Sequence, residues 1–108
     1  MSLRFVYTIS ITFEWNPVKN EANLAKHRID FRDAVRIFEA PVLEKVDTRR
    51  EYGETRILSF GLYEDVELAV VYTMRGRNRR IISAKRASDS ERKTYRKAYP
   101  GLRKTRQD

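Results

Sequence analysis

The 108-residue sequence contains no cysteine. That excludes disulfides, zinc–thiolate sites and cysteine nucleophiles, and fits a reducing compartment such as the cytoplasm. It contains one histidine, His27, so no mechanism can pass a proton between two imidazoles. Long apolar runs are missing too: none approaches the roughly 20 residues of a membrane helix, and no membrane association is expected. The longest uncharged stretch, Phe5 to Phe13, alternates with a period of two. A signal-peptide core would be more uniformly apolar, so this stretch reads as a strand. No pair of acidic motifs repeats at a metal-ligand spacing, and neither a metal nor another cofactor is expected.

What is present is a hydrophobic fraction of 41%, enough for one packed core. Residues 1–108 read as a single domain, with 101–108 as a flexible basic tail. The net charge of +8 is unevenly spread. Residues 1–74 hold 10 Lys/Arg against 12 Asp/Glu, a net of −2; residues 75–108 hold 13 against 3, a net of +10. Such polarity is the electrostatic footprint of a polyanion binder, although a solvated charged helix and tail would also produce it. Because the basic residues begin on a strand pair ahead of the last helix, nucleic acid is the favoured partner.

The order of elements reads βααββββα, an α+β fold whose mostly antiparallel sheet carries two N-terminal helices and one C-terminal helix. The first strand covers 5–15. Asn16-Pro17 caps and opens a helix ending near His27-Arg28, with Val18, Ala22 and Ala25 as its apolar stripe. Asp30 caps a second helix with Phe31, Ala34, Val35 and Phe38 on one face, and Pro41 stops it. A short strand covers 42–46, and the polar stretch 47–55 reads as a mobile loop. Strands at 56–62, 67–73 and 79–85 follow as a meander. The middle one, rich in β-branched residues, is expected at the centre of the sheet. Its Leu68, Val70 and Tyr72 point one way, and Glu67, Ala69, Val71 and Thr73 the other. Ser88 to Glu91 forms a capping box for a helix through Tyr99 that packs through tyrosines. Trp15 and Tyr72 read as core. No turn between the first two helices suits a helix-turn-helix, which disfavours sequence-specific DNA reading.

Five segments in order resemble a known family. They are Phe13-Glu14-Trp15-Asn16-Pro17 leading to Asn23-Leu24-Ala25-Lys26-His27; Ile29-Asp30-Phe31 with Ala34; Asp47-Thr48-Arg49-Arg50 with Gly53-Glu54-Thr55-Arg56; Val70-Val71-Tyr72-Thr73; and Arg80 to Ala87 running into Glu91-Arg92 and Tyr95. Together they resemble the BrnT toxins of bacterial type II toxin–antitoxin pairs. The resemblance implies a RelE-like fold, ribonuclease activity and a cognate antitoxin of the BrnA kind, a DNA-binding protein that neutralises the toxin and represses the operon as a complex. It does not imply a homo-oligomer. Three departures stand out: Arg28 stands where members commonly have glycine, Arg50 where many have histidine, and the segment before Phe13 is longer.

Metal-independent RNA cleavage needs a base for the 2′-OH, an acid for the 5′-oxygen and cations on the phosphorane. The expected catalytic set is Lys26, His27, Arg49, Glu54, Arg56, Arg86 and Tyr95. Lys26 would contact phosphate, and His27 titrates near neutrality. Either could equally be a partner of the helix dipole. Arg86 precedes the last helix N-terminus, where it would bind phosphate or pair with Asp89 or Glu91. Glu54 would orient Arg56 or act as base. Tyr95 would donate a proton or stack a base, although periodicity alone favours packing. The RNA-binding set is Arg50, Arg75, Arg77, Arg79, Arg80, Arg92 and Arg96, which steer rather than react. Two alternatives use the same basic face without cleavage: a nucleic-acid-binding module, and an inactive toxin homologue that serves as an antitoxin's corepressor.

Overall fold

The structure, a computed structural model, describes residues 12–102. Most of the strand expected at 5–15, and most of the expected basic tail, lie outside the described residues. The elements follow the expected order: β1 (Thr12–Glu14), α1 (Pro17–His27), α2 (Phe31–Ala34) continuing as a 3-10 helix (Val35–Glu39), β2 (Leu43–Val46), β3 (Ile57–Tyr63), β4 (Val66–Arg75), β5 (Asn78–Arg86) and α3 (Asp89–Ala98). The sheet order is β1-β5-β4-β3-β2. β1 runs parallel to β5, and every other pairing is antiparallel. β4 is central, as its β-branched composition predicts.

Because β4 is central and both faces of the sheet are covered, its two alternating sets of side chains are both buried. Leu68, Val70 and Tyr72 pack with Phe31, Ala34 and Ile37 beneath α2. Ala69 and Val71 pack with Leu58, Phe60 and Tyr95 beneath α3. A register shift at Val71/Tyr72 places Ser83 opposite Val71 and Ile81 opposite Tyr72. Ile82 is the extra residue of this bulge, and it joins the α3-side cluster. Two tyrosine hydroxyls fix α3: Tyr95 donates to the Pro41 carbonyl at 3.0 Å and Tyr99 to that of Val42 at 2.9 Å.

The capping reading holds. The Asn16 side chain accepts from the backbone of Val18 and Lys19, Asp30 accepts from Arg32, and Ser88 with Glu91 forms the reciprocal capping box. The second helix is shorter than expected as α-helix: four residues, then 3-10 geometry that adds Ile37 to the core, while Val35 and Phe38 are half-buried and pack against it as expected.

The stripe expected on α1 is corrected. Val18 is 73% exposed, and Ala22 and Ala25 are also exposed, whereas Asn23 is 7% exposed. α1 is buried through a polar row, Asn20, Asn23 and His27. The reason lies in the sheet. Among the described residues β1 pairs with residues 78–80 of β5, which leaves the upper half of β5 with an open edge, and α1 continues along it. The Asn23 amide donates to the Ala84 carbonyl at 2.8 Å and accepts from the Ala84 N–H at 3.1 Å, standing in for a strand; it also donates to Ile29 at 3.0 Å. Asn20 meanwhile holds Asp30 and the Phe31 N–H.

Arg28 caps α1 in the left-handed region at φ 61°. A side chain there carries a conformational cost of about 1 kcal/mol that glycine avoids. Arg28→Gly is expected to raise unfolding free energy by about 0.5–1 kcal/mol. Asn23→Ala should lower it by about 2–3 kcal/mol, since three buried backbone groups lose partners. Urea unfolding of both variants measures these shifts; a neutral Asn23→Ala would remove the edge-capping argument.

Candidate nucleic-acid interface

α3 covers only part of its side of the sheet. Below it lies an open face to which the strand register directs Arg80, Ser83 and Lys85 on β5, above the buried Thr73 of β4, with Arg56 immediately ahead of β3. The N-terminal turns of α3 wall one side, the 47–56 loop another, and α1 the third.

At the α1 end, His27 is half-buried on the last turn of the helix. Burial first, then the positive charges of Lys26 and Lys85, hold its pKa below the usual imidazole value of 6.5. It is therefore neutral at pH 7, the form that can accept a proton. Lys85 is steered by Glu91, 3.7 Å away. Lys85 was not among the expected site residues; its signal was the period-two pattern of β5, which sets it on the α3-side face.

At the other end lies a lattice of charge. Arg56 Nε donates to Glu54 at 3.0 Å, Arg75 lies 3.9 Å from the same carboxylate, and Arg80 donates to Glu14 at 2.7 Å. Glu54, Arg56, Arg75 and Arg80, with Lys19 of α1, line a cleft of about 180 Å³. Glu54 thus orients two guanidinium groups.

The 47–55 loop, read from sequence as mobile, is tied to a buried carboxylate. Asp47 accepts from the Arg49 backbone, Arg49 Nε at 2.8 Å, Arg49 NH2 at 2.8 Å and the Tyr52 hydroxyl at 3.1 Å. The Arg49 guanidinium, more than the other contacts, holds the Asp47 carboxyl far below the usual carboxylate range. Arg56 then stacks over the Tyr52 ring, 4.2 Å from its centroid.

The structure brings Lys26, His27, Arg49, Glu54, Arg56, Arg75 and Arg80 around this face, with Arg50 on the loop and Arg77 at the hairpin tip. Five expected residues, Arg79, Arg86, Arg92, Arg96 and Tyr95, are placed elsewhere. Arg79 points to the opposite side of the sheet, over the rings of Phe38, Tyr72 and Phe13 at 4.5, 5.1 and 6.0 Å. Arg86 pairs in register with Leu68 of the α2-side core and opens into a cleft of about 240 Å³ beside Arg28 and Tyr63. Arg96 grips the buried Glu67 with two donors, at 2.7 and 3.2 Å. Tyr95 is buried, its hydroxyl held by Pro41, so it packs beneath α3. Arg92 bonds to the Ala87 carbonyl and Asp89, while Lys85 takes Glu91, so Arg86 has neither of its two expected acidic partners.

Among the described residues no group of histidine, aspartate and glutamate side chains is arranged to hold a metal ion, and no helix is long and apolar enough to cross a membrane.

Asp47 has a lowered folded pKa, so the stability it contributes is present above its unfolded value near 3.8 and is lost as pH falls through the folded value. Because Arg49 is largely exposed, solvent screening limits that contribution to about 1 kcal/mol. Asp47→Asn should therefore melt lower than the parent at pH 7, and the gap should narrow below pH 4. A gap independent of pH would show that the ion pair contributes no stability.

No curated protein matches the chain by sequence. Among solved structures, the 1.1 Å crystal structure of the Brucella abortus ribonuclease toxin BrnT is similar, with 25% sequence identity and a TM-score of 0.57. The match covers 74% of this chain and 100% of that one. The family described as "Ribonuclease toxin, BrnT, of type II toxin-antitoxin system" matches over residues 15–91. That match spans α1 at the β5 edge, α2, the whole meander and the start of α3, and on it the chain belongs to the BrnT family of ribonuclease toxins.

Proposed function

We propose that this chain is a metal-independent endoribonuclease that holds single-stranded RNA across the open α3-side face and cuts it at the His27 end. The observation that supports this most directly is a half-buried imidazole, kept neutral, at the edge of a face lined with Arg56, Arg80 and Lys85. His27 takes the 2′-OH proton, and the 2′-oxygen attacks phosphorus. The P–O5′ bond breaks, and the 5′-oxygen takes a proton from Lys26 or Lys85, the ammonium groups whose charges bear on His27. The products carry a 2′,3′-cyclic phosphate and a 5′-hydroxyl. Arginine suits the supporting role because its planar fork binds phosphate oxygens bidentately and stays charged. The RelE-like label is compatible with the element order.

The single domain, the cytoplasmic setting and neutralisation by a cognate, DNA-binding antitoxin of the BrnA kind belong to the same proposal. Membership in a toxin–antitoxin family supports the antitoxin partner. Arg50, where many members have histidine, leaves His27 as the sole imidazole of the site.

The test is cleavage of a labelled RNA in EDTA. His27→Gln and Arg56→Ala should each slow cleavage at least about tenfold, roughly 1.4 kcal/mol in the barrier. Arg86→Ala, on the other side of β5, should cost less than threefold; a larger loss there than in Arg56→Ala would move the site to the α2 side. Because the His27 pKa is lowered, the rate should rise with pH through a midpoint below 6.5 and then level, and His27→Gln should lose that limb. Salt-sensitive RNA binding without any cleavage would favour a binding module or a corepressor.

A further inference from the structure

The 47–56 loop wraps a cavity of about 580 Å³, open to solvent and larger than a nucleobase with its ribose. Val46, Asp47 and the residues from Arg50 to Arg56 contribute most of its lining. Three features distinguish it from an ordinary surface loop. It is held in shape from beneath by the bonds that Arg49 and Tyr52 make to the buried Asp47. Its wall includes a flat surface, the Tyr52 ring with the Arg56 guanidinium stacked on it. Its carboxylates are unequally engaged. Asp47 is committed to Arg49 and Tyr52, and Glu54 to Arg56 and Arg75. Glu51 is exposed and forms no hydrogen bond or ion pair among the described residues.

Sequence-selective RNA recognition acts on unstacked single-stranded bases, which stack on aromatic or guanidinium planes and are read along their Watson–Crick edges. An ionised carboxylate is acceptor-only. Of the four bases, guanine alone presents two adjacent donors on that edge, its N1–H and its N2 amino group. Adenine and cytosine each offer one donor beside an acceptor, and uracil one donor between two. A carboxylate that reads a Watson–Crick edge with both oxygens therefore accepts guanine and leaves an oxygen facing a lone pair with the others.

Resting on the ribonuclease reading above, we propose that the cavity of the 47–56 loop is a base-reading site selective for guanine. Glu51 is its specificity residue, the Tyr52–Arg56 plane its stacking surface, and the neighbouring Arg50 a contact for the flanking phosphate. The site sets which nucleotide is held beside the cleavage centre, and Arg56 is the residue it shares with the cleavage face.

The experiment measures affinity of the full chain for non-cleavable 2′-O-methyl hexanucleotides, uridine throughout except for one central guanine, inosine, adenine, cytosine or uracil. Inosine keeps N1–H and lacks the N2 amino group. The guanine oligomer should bind at least about fivefold more tightly than the rest, inosine falling with the others. Glu51→Gln should bring all five within twofold of one another while leaving the melting temperature unchanged. Equal affinities in the parent chain would overturn the proposal even if the protein cuts RNA. Guanine preference that survives Glu51→Gln overturns it as well, by removing Glu51 from recognition. Guanine preference lost in Glu51→Gln, in a protein that cuts nothing, supports base reading while the ribonuclease proposal fails.

Discussion

The open upper edge of β5 is the constraint on which the site depends. Among the described residues the first strand covers three residues of its neighbour, and the backbone groups beyond them must be satisfied by other means. Here one side-chain amide does so at Ala84, donating and accepting as a strand would. That choice explains why α1 buries asparagines and exposes valine and alanines. It also sets His27 one turn further along the same helix, at the rim of the sheet, where partial burial and Lys85 keep it neutral. A helix packed in the ordinary way, by an apolar stripe onto a sheet face, would place that imidazole elsewhere.

A second consequence comes from α3. It is pinned by Tyr95 and Tyr99 to the start of β2, so it covers the α3-side face near Phe60 and Leu43 and leaves the remainder open. The open part receives charge from three directions: the last strand, the loop before β3, and the helix along the edge. Acidic residues arrange these cations. Glu54 orients Arg56 and Arg75, Glu14 holds Arg80, Glu91 steers Lys85, and the buried Asp47 shapes the loop. Preorganised guanidinium groups of this kind bind phosphate with little further loss of side-chain freedom.

The arginines show how far sequence reading carries. The excess of basic residues after position 74 was visible in composition, and so was its meaning as a polyanion footprint. Which arginines share a face was partly visible: strand alternation separates Arg79 from Arg80. The notional set of hairpin arginines ignored that alternation, and the fold placed Arg79 over three aromatic rings. Lys85 and Arg86, adjacent in sequence, are likewise divided between the two sides of β5. The capping box, the central position of β4 and the two faces of β4 were legible because each rests on local chemistry or on a period of two.

The sequence by itself determined the element order, the caps, the centre of the sheet, the basic footprint and, through its five family segments, the kinship. These depend on interactions within a few residues of the chain or on periodic patterns along it. Only the tertiary structure decided that α1 buries a polar row, that the charged loop is anchored by Asp47, and that Arg86 and Tyr95 stand apart from His27. Each of those depends on a partner distant in the chain or on the side of the sheet from which a residue is covered. Helical periodicity cannot reveal that a buried amide is pairing with a strand edge, because the demand for that amide originates 61 residues away, at Ala84.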